Sequence, residues 1–193
     1  IEPQLNNKTR ALLIYEFTKI SLNVLEKCEN NYDTFSIFFT EYIRMISDPD
    51  HIVEVICKLT KIGSVQSRLT AVSNIIQISE TVNLGTSWES IKTSFLELLK
   101  NYSNTELVDT IMEFIPRIAE NTLFDMDALK ILISKIHNSN DKTCQIISQV
   151  IDYIPTKLDD FVQLLLDNNI VSPILFNKCI GRIESSDLSK QIF

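Results

Sequence analysis

Ile111-Met112-Glu113-Phe114-Ile115-Pro116 returns 39 positions later as Val150-Ile151-Asp152-Tyr153-Ile154-Pro155, with the chemical character kept at each of the six places. A fainter echo lies one period upstream, where Val72, Ile75 and Ile76 fill three of the four apolar slots. Self-similarity at a spacing of ~20–50 residues is the mark of stacked supersecondary units. The segments preceding each copy line up too. Trp88-Glu89-Ser90-Ile91, Met126-Asp127-Ala128-Leu129 and Leu158-Asp159-Asp160-Phe161 each place a bulky residue, an acid, a spacer and a second bulky residue.

Working outward from these copies, the apolar spacing is helical nearly everywhere. Leu107, Val108, Ile111, Phe114 and Ile115 form one stripe, and Ile147, Val150, Ile151 and Ile154 form its counterpart. Such i, i+3, i+4, i+7 recurrence marks one buried face of a helix. The same spacing holds for Leu13, Phe17, Ile20 and Val24, for Phe35 to Ile46, and for Ile52, Val55, Ile56 and Leu59. It continues through Val65, Leu69, Val72 and Ile76, through Trp88, Ile91, Phe95 and Leu98, and through Leu129, Leu132, Ile133 and Ile136. Leu158, Phe161, Val162 and Leu165, then Phe176, Ile180 and Ile183, complete the series. Trp88 and Tyr153 fall in buried stripes and are expected in the core.

Helix starts are expected where a side chain can satisfy amides that lack an intrahelical partner. Asp48-Pro49 and Ser172-Pro173 join a cap to a proline at the first helical position. Thr86 with Glu89 and Ser103 with Glu106 have capping-box spacing, and Thr156 with Asp159 is a weaker version. Asp33, Asp125 and Asn140 can cap other starts, Gly63 suits a left-handed stop, and Pro116 and Pro155 are expected to end their helices. The pairs then begin near residues 49, 87, 125 and 157.

In unit length and helix–turn–helix pairing, residues 49–184 resemble the HEAT/armadillo class of helical repeats. The resemblance implies an all-α fold, an α-α superhelix of antiparallel helix pairs forming a solenoid segment, because a lone hairpin must stack on its neighbours to bury both faces. Expected is a single helical-repeat domain over 1–193, excised from a longer chain. It would have two divergent helices within 1–47, about four pairs over 48–184 and a terminal segment over 185–193. A closed bundle, with the repeat a coincidence, is the competing architecture.

Composition narrows the function. The chain has 193 residues, 45% hydrophobic and 22% charged, with 3 Gly and 5 Pro, too few turn formers for a many-stranded all-β fold. Its 18 basic and 25 acidic residues leave a formal charge of −7, which opposes phosphate attraction overall. No apolar run reaches the ~18 residues a membrane span needs, and basic residues do not collect on polar helix faces as surface-lying helices require. The expected setting is intracellular, in the cytoplasm or nucleus.

Catalytic or metal chemistry finds little to stand on. Cys28, Cys57, Cys144 and Cys179 are dispersed in apolar patterns and read as buried reduced thiols whose pKa burial would raise. The two histidines, His51 and His137, fall short of a metal site, which needs about three protein ligands. Asn7-Lys8-Thr9 and Asn101-Tyr102-Ser103 fit the glycosylation tripeptide, a pattern common by chance. The expectation is a non-enzyme without a cofactor or metal.

Second helices line the concave side in arrays of the class resembled. Glu106, Asp109 and Glu113 lie opposite the apolar stripe of theirs, with Gln145, Ser148 and Asp152 as counterparts one unit on. Stacked in register, Glu113 and Asp152 would be neighbours on a polar-to-acidic groove. That groove could receive a basic or extended segment of a protein partner. The resulting expectation is a scaffold or adaptor within a larger complex, with Glu106, Asp109, Glu113 and Asp152 as its partner-binding residues. Two alternatives stand beside it. One is RNA or DNA binding, for which Lys58, Lys61 and Arg68 form the densest basic group. The other is an accessory domain of a larger enzyme.

Overall fold

A computed structural model describes Thr9, Leu12, Glu16, residues 49–61, 63–136, 141–155 and 158–185, and Asp187, Leu188 and Lys190. The helices expected within 1–47, Cys28, His137, Asn7, Asp33, Asp48, Asn140, Thr156 and the side chain of His51 lie outside the described residues. Among those residues the fold is all-helical: α1 (Pro49–Leu59), α2 (Val65–Thr81), α3 (Ser87–Asn101), α4 (Thr105–Asn121), α5 (Met126–Ile133), α6 (Asp141–Asp152), α7 (Asp159–Asp167) and α8 (Pro173–Cys179), followed by a 3-10 turn at Ile180–Arg182. The chain divides into two compact units, Ile1–Ser94 and Phe95–Phe193, at a point inside α3.

In the first unit α1 buries Ile52, Val53, Val55, Ile56 and Leu59 and packs against α2. The connection closes on itself: Thr60 donates its hydroxyl to the Cys57 carbonyl, Gly63 takes φ 90°, and the Ser64 hydroxyl accepts from the Ser67 amide at 3.2 Å. Gly63 therefore supplies the left-handed stop that its position promised. Along α2 the buried seam runs Leu69, Val72, Ile75 and Ile78, with Ser67, Arg68, Asn74 and Ser79 buried beside it. The expected stripe is thus rotated, leaving Val65 36% exposed and Ile76 half-buried. A helix covered on more than one side does not reveal its deepest seam through apolar spacing alone. Trp88 and Ile91, at the start of α3, are buried as expected.

In the second unit α4 packs on α6, α6 packs on α8, and α5 packs on α7. Leu107, Ile111, Phe114, Ile115 and Ile118 carry the buried stripe of α4, and Phe114 sets its ring 6.0 Å from that of Phe95. Asp125 and Ser172 cap α5 and α8 as expected, accepting from the Ala128 and Leu175 amides at 2.8 and 3.5 Å.

Four local expectations are corrected. The cap of α4 is Asn104, whose side-chain oxygen accepts from the Leu107 amide at 3.0 Å, in place of Ser103 one residue earlier. Pro116 does not end its helix, which continues to Asn121. Proline inside a helix costs ~3 kcal/mol, but the turn beyond it buries Ile118 and Ala119, and one such large aliphatic side chain contributes ~1.5–3 kcal/mol. Asn121 and Thr122 then donate to the Arg117 and Ile118 carbonyls at that helix end. The matching helix α6 does stop before its proline, at Asp152, so Tyr153 sits in a turn and is 44% exposed instead of in the core. Finally, α8 ends at Cys179, so Ile180 is 39% exposed, and Leu175, Phe176 and Cys179 carry the burial there.

Candidate partner-binding face

Glu106, Asp109 and Glu113 are all exposed on α4, because they occupy the polar positions opposite the Leu107–Ile111–Phe114–Ile118 seam. On α6, Gln145 and Asp152 are exposed and Ser148 is half-buried, its hydroxyl donating to the Gln145 carbonyl at 2.7 Å. The packing of α4 on α6 therefore brings two polar helix faces into one surface.

The carboxylates on that surface are laced to lysines from the next packed helix. Lys142 of α6 donates to Glu113 of α4 at 2.5 Å, and Lys178 of α8 lies 2.8 Å from Asp152 of α6. Lys142 and Asp152 are ten residues apart on α6, about 15 Å along a helix that rises 1.5 Å per residue. Glu113 thus meets the beginning of α6, whereas the in-register expectation placed it beside Asp152 at the end. Spacing by the 39-residue period could not have found Lys142 or Lys178, since these contacts span 29 and 26 residues. The hydrogen bond that Lys142 donates to Glu113, then the Glu113 charge and more weakly that of Asp109, raises the pKa of the Lys142 ammonium. On α5, Lys130 donates to Asp127 at 2.9 Å and, by that bond and its charge, holds the Asp127 carboxyl below its usual range, with Lys100 adding a weaker pull. The α4–α6 surface carries both acids and lysines, with Glu106, Asp109 and Glu113 as exposed carboxylates of α4.

In the basic group of the first unit Lys61 is exposed. Lys58 donates to Glu54 at 3.0 Å one helical turn back, and Arg68 is only 9% exposed. Cys57, Cys144 and Cys179 are buried and free. Burial pushes the Cys57 thiol up, with partial relief from a Ser94 hydrogen bond and the Lys61 charge. Burial likewise pushes Cys179 up to about 11, against a weaker pull from Arg182. A thiol held protonated is a poor nucleophile. Among the described residues no three His, Cys, Asp or Glu side chains gather where they could hold a metal ion, and no helix is long and apolar enough to cross a membrane. Asn101, the acceptor position of the second glycosylation tripeptide, is exposed at the end of α3.

No family model, curated protein or solved structure matches the chain.

Proposed function

We propose that the chain is a non-catalytic protein-binding scaffold or adaptor segment. In this reading the second compact unit is built as a HEAT/armadillo-like superhelix of antiparallel pairs and holds a basic or extended segment of a protein partner along α4 and α6. The observation that supports it is the packing order: α4 on α6 on α8, with α5 on α7. Alternate helices that rest on one another make two rows, and a row presents a long continuous surface for its mass. The exposed Glu106 and Asp109 give one stretch of that surface a preference for cations, and the buried thiols suit a reducing intracellular setting.

A short extended Lys/Arg-rich peptide carrying a fluorophore tests the reading by anisotropy, with a single-stranded oligonucleotide as the competing ligand. Peptide binding that falls at least about tenfold in the Glu106→Lys/Asp109→Lys double variant, and weakens with added salt, supports it. Equal binding by wild type and variant, with helicity unchanged, removes α4 as the binding face. Preference for the oligonucleotide would favour the nucleic-acid alternative.

A further inference from the structure

The segment after α8 is fastened by polar bonds to the end of α6 and the start of α7. Arg182 donates one guanidinium nitrogen to the Ile151 carbonyl at 2.7 Å and the other to the Ile154 carbonyl. Its own carbonyl accepts from the Leu158 amide at 3.2 Å. One turn further on, Asp159 accepts from the Ser185 amide at 2.8 Å and from the Glu184 amide at 3.2 Å. Just before the segment, Lys178 is paired with Asp152.

Burial contributes little to this attachment. Gly181 and Glu184 are exposed, Ile180 is 39% exposed, and Arg182, Ile183 and Ser185 are half-buried. By contrast, Ile151, Leu158 and Phe161 beneath it are almost fully buried. A segment held by part-exposed polar bonds over a dry base opens at lower free energy than the base itself. The segment also carries a reporter at its root, for Cys179 is the last residue of α8 and fully buried.

We propose that residues 180–185 form a strap that opens as a cooperative piece, independently of the helices under it, and that Arg182 and Asp159 are its two fasteners. Opening frees the carbonyl end of α6, frays the last turn of α8 and uncovers the Cys179 thiol, while α4 and α6 stay folded. The device gives this end of the α4–α6–α8 row two states, closed and released.

The test is alkylation of the full chain with iodoacetamide under native conditions, read by mass spectrometry at each cysteine. Cys144, 1% exposed on α6, serves as the internal reference for opening of the helices themselves. The expected result is that Cys179 reacts at least about tenfold faster than Cys144, and about tenfold faster again in Arg182→Met and in Asp159→Asn. Cys144 should stay unchanged. Hydrogen exchange at the Glu184 and Ser185 amides gives a second readout in the wild-type chain, so the inference is decided even if a variant folds poorly. If those amides and Cys179 respond only in step with Cys144 and the α6 amides, the strap has no independent opening and the proposal is overturned.

Discussion

Replacing Pro116 with Ala should stabilise the protein. Pro116 is the twelfth residue of a 17-residue helix and has no amide to offer the carbonyl of Met112, one turn back. The intrinsic difference between proline and alanine inside a helix is ~3 kcal/mol. Only part of that is recovered, because α4 already runs through the ring to Asn121. Alanine also gives up ring contacts at a half-buried site. The net gain expected is about 1–2 kcal/mol, and at roughly 2–4 °C per kcal/mol for a chain of this size the melting temperature should rise by about 2–8 °C. Pro155→Ala is the matched control. It occupies the same place in the repeated hexapeptide but is exposed beyond the end of α6, so its effect should stay within ~0.5 kcal/mol. Urea unfolding followed by far-ultraviolet circular dichroism measures both, with the slope expected to stay constant. A loss of ~1 kcal/mol or more for Pro116→Ala would refute the reasoning. It would mean that the proline ring is needed to seat Ile118 and Ala119, so that the proline supports the packing it is here taken to oppose.

Three further outcomes follow from the geometry. Asn104→Ala should cost about 1 kcal/mol, typical of a lost N-cap, whereas Ser103→Ala should be near neutral, and equal effects in thermal unfolding would contradict the cap assignment. Ile115→Ala, at a fully buried position of α4, should cost about 2–5 kcal/mol in the same assay, and a cost below ~1 kcal/mol would show that the site collapses around the gap or is not buried. Cys179 has a folded pKa of about 11 against an ordinary value of 9.0, so the native state keeps its proton where the unfolded chain loses it. The contribution of the neutral thiol is then complete below pH 9 and lost as pH rises toward 11, which the difference between wild type and Cys179→Ala in unfolding free energy across that window should reveal.

Much of the helical layout was legible from local chemistry. Helices begin at Pro49, Ser87, Met126 and Asp159, close to the expected pair starts; the N-terminal Pro49 and the Asp125 cap mark two of them within one turn of chain, whereas α7 starts without a side-chain cap. The seam of α4 was legible for a similar reason: a single buried face imposes a period of 3.6 on the residues that line it. Where the chain chooses between close neighbours, as between Ser103 and Asn104, the local signal was too coarse, since either side chain can reach a first-turn amide.

The candidate face was legible only in part. The exposure of Glu106, Asp109, Glu113 and Asp152 follows from their positions opposite apolar stripes, but their neighbours do not. Lys142 and Lys178 reach their acids across a packing contact whose register depends on how α4, α6 and α8 fit together. The burial of Arg68, one member of the basic group, likewise depends on what covers α2.

The repeated hexapeptide separates the two kinds of information most clearly. By itself the sequence determined that each copy opens within a helix on a shared apolar stripe, because side-chain size and spacing are properties of the chain. Only the tertiary structure decided that one helix runs through its proline and buries Phe114, while the other stops short and exposes Tyr153. The physical reason is that a proline's cost is fixed, whereas the burial available beyond it is set by distant residues that meet only when the helices pack.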